Sequence, residues 1–295
     1  MKIFVTGSEG FLGNYLVAKL KNLGHNIIEF DVAKGDNVLD APSLEKKMIG
    51  ADVVFHLAAI MDNNNEKLVE VNVDGTNNVI RAAVKTRVKK FILLSSTAVY
   101  GFTTGPVDEV TPVNPSTNYE KSKVEAEKLV LEHQEEISVS IVRSSMILGP
   151  NNYWKTLFKM IQRGMPLPVN GKNHFQIIYV EDLVNALVTI MKKGETGEAY
   201  LVAGKEKPTL NTIYKIVRKV LGKNQKVSHC PSFIAIVISK IMRIKIISTD
   251  NIRHLSKERN YSTEKIESLG WKPKHSSEQA VSETINALKE EAKFN

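Results

Sequence analysis

The chain has 295 residues, 42% hydrophobic and 24% charged, with 40 Lys and Arg against 32 Asp and Glu, a formal net charge of +8 and one cysteine. This is the composition of a globular protein with a large core, and a single cysteine excludes an intrachain disulfide. Basic residues are spread along the sequence without a recognition motif, which speaks against a nucleic-acid partner and suits an anionic small molecule.

The first stretch, Lys2 to Thr6, has the length and β-branching of a buried strand. Gly7, Gly10 and Gly13 follow at three-residue spacing. Phe11, Leu12, Tyr15, Leu16, Ala18 and Leu20 then recur with helical period, and Gly24 supplies a stop. A strand, a glycine turn and a helix point backbone N–H groups at a phosphate. One glycine permits the tight turn, another lets a pyrophosphate approach, and the last lets the helix pack on the strand. A second strand, Asn26–Phe30, ends in Asp31, roughly 20 residues past the turn, where a carboxylate receives an adenosine 2′-hydroxyl. It repels a 2′-phosphate, so NAD is favoured over NADP; Lys34 nearby opposes that preference.

A third strand is placed near Asn37-Val38-Leu39, and Ser43 as the cap of a short helix ending at Met48. Asp52 to Ala59 reads as a buried strand closing in small residues, which leave room for a ligand at the sheet's switch point. The next helix is expected from about Glu66 to Val84, with Val69, Val73, Val79 and Ala83 on one side. Asn72 falls on its buried side, either as a satisfied core amide or as an anchor for a cofactor site. Lys90–Leu94 is the fifth expected strand and opens into Ser95-Ser96-Thr97-Ala98-Val99-Tyr100-Gly101. A helix from Asn118 to about His133 follows, then a sixth strand, Val139–Arg143. Alternating strands and helices give an α/β class: a doubly wound parallel sheet. After Gly149-Pro150 the pattern loosens. An amphipathic helix lies between Asn151 and Pro168, a helix from Glu181 to Met191, and a last strand from Ala199 to Ala203. The expected organisation is a nucleotide-binding domain of residues 1–150 with 176–204 returning to it, and a smaller, mostly helical substrate lobe of 151–175 and 205–295.

Tyr119 and Lys123 are four apart and face the same way on a helix. An ammonium beside a phenol favours phenolate, which lets a tyrosine exchange a proton with a substrate hydroxyl near neutral pH. Ser96, leaving a strand end, is placed to hydrogen-bond the same oxygen. No histidine or cysteine spacing marks a metal site, and neither a phosphate-loop motif nor a hydrolase elbow occurs. The most apolar later stretch, Phe233 to Ile238, is interrupted soon after by Lys240, Arg243 and Lys245 and is too short to span a bilayer. The first strand starts directly after Met1, leaving no room for a signal peptide. A cytoplasmic protein without a membrane partner is expected.

In order, T-G-S-E-G-F-L-G at 6–13, Asp31, H-L-A-A at 56–59, V-N-V-D-G-T at 71–76, S-S-T-A-V-Y-G at 95–101, Y-E-K-S-K at 119–123, V-R-S-S-M-I-L-G-P at 142–150, Y-V-E-D-L at 179–183 and L-G-W-K-P at 269–273 resemble the extended short-chain dehydrogenase/reductase family, the NAD-dependent sugar epimerases and dehydratases. The resemblance spans the chain and implies a Rossmann fold. It implies Tyr119 as general acid/base, Lys123 on the nicotinamide ribose, and Ser96 orienting the reacting oxygen, with Ser95 a weaker claimant. Phe11 and Leu12 would give backbone contacts to the pyrophosphate. Asn37 and Val38 would lie at the adenine, Leu57, Ala58 and Ala59 on the nicotinamide side, and Asn72 near the cofactor. It also implies a homodimer through the 66–84 and 118–133 helices.

Departures bear on the substrate. Met146 stands where sugar-nucleotide members carry asparagine, and Phe175 where they carry a diphosphate-clamping arginine; Lys172, His174 or Arg163 could compensate. Thr97 replaces the acid that dehydratase members use for elimination. The expected activity is hydride transfer at a secondary alcohol or ketone, on a nucleotide sugar, of epimerase type. The alternatives are a dehydrogenase of a steroid- or flavonoid-like ketone, suggested by Tyr261-Ser262-Thr263-Glu264-Lys265 and the Phe233–Ile247 stretch, and a non-catalytic NAD-binding redox sensor.

Overall fold

Apolar residues that alternate within short β-branched runs bury both faces of a parallel sheet. In the computed structural model, which describes residues 1–241, 252 and 255–290, six such runs pair side by side. They are β1 (Lys2–Thr6), β2 (Asn26–Phe30), β3 (Val53–His56), β4 (Lys90–Ser96), β5 (Ser138–Ser144) and β8 (Glu198–Val202), all parallel in the order β2-β1-β3-β4-β5-β8. Ile3 and Val5 face one core with Val53 and Phe55; Phe4 faces the other with Val54 and Phe91. The first face is covered by α1 (Phe11–Asn22) and α6 (Val180–Lys193). The second is covered by α2 (Ala41–Met48), α3 (Gly75–Lys85) and α4 (Asn118–Glu132).

The order reverses between β1 and β3, so the crevice lies above the carboxyl ends of these two strands. The strand expected near Asn37–Leu39 does not form. Asn37 accepts the Leu39 N–H in a local turn and Val38 packs under Gly75, so the chain passes from β2 to α2 without adding an edge. Asp40, not Ser43, caps α2, its carboxylate taking the Ser43 N–H at 3.1 Å.

The helix expected from Glu66 starts at Leu68 and contains one π-helical turn, Glu70–Asp74, before α3. The extra residue rotates the apolar face. Val69 is left exposed while Leu68, Asn72, Thr76, Val79, Ile80 and Ala83 turn inward.

A two-stranded parallel sheet of β6 (Met146–Leu148) and β7 (Ile177–Tyr179) lies outside the main one. Around it pack α5 (Asn152–Gln162), α7 (Leu210–Val220) and α10 (Ser277–Glu290), which share one core with the first face of the large sheet. Two further helices are α8 (Ser232–Ile241) and the short α9 (Glu264–Ser268). The expected greasy stretch Phe233–Ile247 lies partly outside the described residues; in its described part Phe233, Ile234 and Val237 are exposed rather than packed. Asp182 on α6 accepts the N–H groups of Lys274 and His275 at 3.1 and 3.0 Å, and Trp271 Nε1–H donates to its carbonyl. The Y-V-E-D-L and L-G-W-K-P segments occur together because one is bonded to the other.

Candidate active site

Each wall of the crevice is built by a strand end. At the end of β1, Gly7 has φ +69°, and a Cβ there would meet Ala58 N at 2.8 Å. Both facts demand glycine, one by backbone conformation and one by space. A Cβ on Gly13 would lie 2.1 Å from the Gly7 carbonyl oxygen, so α1 sits directly on the turn. Gly10 leads into α1 with no side-chain cap among the described residues and no acid in the first turn. The Gly10 N–H is taken by the Gly7 carbonyl at 3.1 Å, and the backbone N–H groups of Phe11 and Leu12 carry the positive end of the helix toward the crevice. Phe11 packs its ring where Gly149 has no side chain, and Leu12 is buried in the core.

Asp31 ends β2. Its two oxygens take the N–H groups of Ala33 at 2.9 Å and Glu9 at 3.0 Å, which fix the carboxylate against the glycine turn. Lys34 is engaged by Glu29 at 2.7 Å and Glu9 at 3.0 Å. Its charge is therefore balanced locally, and the objection it raised to a 2′-hydroxyl site weakens. Asn37 is exposed and Val38 is buried, beside Asp31 and α3.

Past β3, Leu57, Ala58 and Ala59 are half-buried. Thr6 accepts the N–H groups of Leu57 and Ala58 at 3.2 Å each, so its own proton goes to His56 Nδ1 at 2.7 Å. His56 Nε2–H then donates to Thr76 at 2.9 Å, and Thr76 donates to the Asn72 carbonyl at 2.6 Å. These partners assign the neutral tautomer of a fully buried imidazole, whose pKa burial lowers to about 3.

Asn72 closes the same network. Its side chain takes the Ile60 N–H at 2.7 Å and donates to the Ile60 carbonyl and to Ser122. Its hydrogen bonds hold Ile60, just past Ala58 and Ala59, against Ser122 of α4.

The catalytic candidates meet at the next strand end. Ser96 ends β4 and accepts the Ala98 N–H at 3.1 Å, and its hydroxyl lies close enough to the Tyr119 phenol to pull the phenol's pKa down. Thr117 and Glu120 form a capping box at the head of α4, and Asn63 takes the Tyr119 N–H at 2.9 Å. The tyrosine is thereby fixed to the loop that follows β3.

Lys123 shares the helix face of Tyr119 and has a partner of its own. The ammonium is bonded to the Leu94 carbonyl at 3.0 Å, and burial lowers its pKa to about 8 against an upward pull from Glu127. Burial pushes the Tyr119 phenol up to about 12; the Ser96 hydrogen bond opposes this and the Glu120 charge adds to it. The two side chains share a helix face, and the Lys123 ammonium is held there by the Leu94 carbonyl. Lowering the phenol requires a further positive charge in the crevice.

Several participants carried no sequence signal. Ser95 donates to Glu127 at 2.5 Å, and Glu127 is held by a bidentate Arg143, so Ser95 belongs to the support of α4 rather than to the reacting oxygen. Lys257 reaches Glu120 at 2.5 Å in a buried pair. Arg259 stacks its guanidinium 5.0 Å from the Phe175 ring centroid. The position that lacks an arginine in sequence thus has one lying on it from elsewhere in the chain. The compensators named from sequence are placed differently: His174 pairs with Glu258, and Lys172 and Arg163 are exposed.

The residues fit a dinucleotide. The glycine cradle would be filled by any Cβ at Gly7, and the hydroxyls of Ser8 and Ser145 are buried without a hydrogen-bond partner among the described residues. Buried polar groups of that kind call for a polar ligand or water.

Residues 3–203 match the model of the NAD dependent epimerase/dehydratase family. A dTDP-D-glucose 4,6-dehydratase of Mus musculus is 27% identical over 326 residues, covering 96% of this chain and 87% of its own. An N-acetyl-alpha-D-glucosaminyl-diphospho-ditrans,octacis-undecaprenol 4-epimerase of Escherichia coli O157:H7 is also 27% identical, covering 96% and 94%. The crystal structure of UDP-glucose 4-epimerase with UDP-glucose from Thermotoga maritima superposes with a TM-score of 0.83 at 22% identity over 99% of this chain and 100% of that one. That of UDP-glucuronic acid 4-epimerase from Bacillus cereus in complex with NAD gives 0.82 at 22% identity over the whole of both.

Proposed function

Because the chain belongs to the NAD-dependent epimerase/dehydratase family of enzymes, we propose that it oxidises a secondary alcohol of a nucleotide sugar at Tyr119 and returns the hydride to the opposite face, as an epimerase. The observation that carries the reading is the placement of Ser96, at the end of β4, beside the buried Tyr119 phenol whose pKa it lowers, on the strand-end side that also carries the glycine cradle.

NAD, when bound, supplies the hydride acceptor and a positive ring. Its pyrophosphate would rest on the N–H groups of Phe11 and Leu12 over the turn of Gly7, Gly10 and Gly13, its adenosine ribose on Asp31, and its adenine by Asn37 and Val38. The nicotinamide end would lie by Leu57, Ala58 and Ala59, with Lys123 on its ribose. Tyr119 takes the proton of the substrate hydroxyl while Ser96 holds the oxygen, and gives it back on return. Burial keeps the phenol protonated in the free protein. The positive charge it lacks there is the one the cofactor brings, so proton abstraction is restricted to the loaded enzyme.

An epimerase is favoured over a dehydratase because elimination of water needs an acid and a base beside the ketone. The turn Thr97–Tyr100 that follows Ser96 carries no carboxylate. Arg259 on Phe175 supplies the guanidinium that a diphosphate requires. The segments 151–175 and 205–295, whose α5, α7 and α10 share one core with β6 and β7, form the substrate lobe in this reading, and a homodimer through α3 and α4 is part of it. A non-catalytic sensor has no use for the assembled Ser96 and Tyr119.

The test is Tyr119→Phe. We expect NAD retention to be nearly unchanged and interconversion of nucleotide sugars to fall by about 10²- to 10⁴-fold. Equal turnover in the variant, or no turnover of any nucleotide sugar by the wild type alongside reduction of apolar ketones, overturns the reading.

A further inference from the structure

The lysines and arginines are distributed along the chain, but the acids are not. From residue 205 to 241 there are eight Lys and Arg against one acid, Glu206, so this run alone holds nearly all of the formal +8. Lys219 is paired with Glu278. Lys215, Lys223 and Lys226 are exposed and form no ion pair among the described residues. Lys215 and Lys226 lie together on an open surface groove that His229 also lines.

The same run leads directly into α8. Backbone pairing of His229 with Leu167 and a 2.7 Å hydrogen bond from Ser232 to the Pro168 carbonyl fix the entry to that helix. The sequence of α8, S-F-I-A-I-V-I-S-K-I, contains no acid and seven large or small apolar side chains. Ala235 turns inward at 7% exposure, while Phe233, Ile234 and Val237 stand at 69%, 38% and 54%. Positions i, i+1 and i+4 share one helical face.

Neither feature alone identifies a partner. Exposed lysines attract any polyanion, and an exposed apolar face fits any apolar cover. The two together are selective. A nucleic-acid backbone would use the cations but gain little from Phe233 and Val237. An anionic bilayer uses both, with headgroup phosphates against lysines and the acyl boundary against apolar side chains. We infer that α8 and the basic run before it dock the enzyme on an anionic lipid bilayer surface. The expectation of no membrane partner rested on the lack of a spanning segment. No helix among the described residues is long and apolar enough to cross, and a helix lying in the interface plane has no need to.

The experiment is co-sedimentation of the full chain with vesicles of phosphatidylcholine mixed with phosphatidylglycerol, and with phosphatidylcholine alone. Binding is expected to the mixed vesicles, weak to the neutral ones, and reduced by high salt. Lys215→Gln with Lys226→Gln should lower the partition by about 25-fold, at about fivefold per charge. Phe233→Asp with Val237→Asp should abolish it. All four positions are exposed, and unchanged melting temperature and NAD retention establish that each variant is folded; neither readout depends on the chemistry assigned to Tyr119. The inference is overturned if the wild type does not sediment with the mixed vesicles, if either double variant binds them like the wild type, or if the wild type is retained on duplex DNA and not on lipid.

Discussion

Lys257 is the position where the structure makes its sharpest quantitative demand. Its ammonium and the Glu120 carboxylate are 2.5 Å apart, with side chains 7% and 0% exposed. Glu120 sits in the first turn of α4, next to Tyr119, and also accepts Ser116 N–H, Ser116 Oγ–H and Thr117 N–H at 2.7, 2.9 and 3.1 Å. Burial alone would raise its pKa; the Lys257 ammonium and these backbone donors outweigh burial and hold it at about 2 against an ordinary 4.5. At about 1.4 kcal/mol per pH unit, that displacement is worth about 3 kcal/mol.

Breaking a buried pair by removing one partner costs about 3–5 kcal/mol. The donors that remain on Glu120 place Lys257→Met at the lower end, about 3 kcal/mol, or a fall in Tm of about 6 °C for a chain of this size. Because a depressed carboxyl pKa stabilises the fold above the unfolded value, the wild-type contribution is full above about pH 4.5 and fades toward pH 2. The difference between wild type and variant should therefore narrow as pH falls through that window. The variant also leaves the Glu120 charge uncompensated beside a phenol that it already pushes up. The activity profile should move to higher pH. Adding Glu120→Gln should restore most of both losses, since it removes the orphaned charge. Thermal melts against pH for the two single variants and the double variant are the assay. A Lys257→Met protein as stable as wild type, or a double variant no better than Lys257→Met, would refute the reasoning.

Three other outcomes are expected. Gly7→Ala meets both a positive φ and the Ala58 backbone, so it should destabilise by about 1–3 kcal/mol and purify without nucleotide; absorbance of the released cofactor checks this. His56→Gln should flatten the acid limb of stability: a buried imidazole with a lowered pKa stabilises fully above about pH 6.5 and loses that contribution as pH falls toward 3, so Tm measured across that interval should drop less in the variant. Asp31→Ala should weaken NAD relative to NADP by about tenfold in titration calorimetry and lower stability by about 1 kcal/mol, because Asp31 also holds the N–H groups of Glu9 and Ala33.

Local patterns made a good part of this protein readable in advance. The glycine turn, the alternation of strands and helices, the buried side of Asn72, and the helix carrying Tyr119 and Lys123 all follow from period and residue type, and those are local properties. The false strand at Asn37–Leu39 shows the limit: β-branched residues permit a strand, but an edge exists only if a neighbour accepts it, and here Val38 is claimed by Gly75. The misplaced Val69 has the same origin, since one π turn shifts a helical face and no hydrophobic period announces it.

Tertiary structure alone decided which groups meet across long separations. Lys257 reaches Glu120, Arg259 covers Phe175, and Asn63 caps the helix of Tyr119. It also set the partner of Lys123, the Leu94 carbonyl. Spacing sets which side of a helix a lysine occupies. Whether its charge reaches a neighbour depends on what else binds it and on how much water remains, and in this protein the Leu94 carbonyl and the buried crevice settle both.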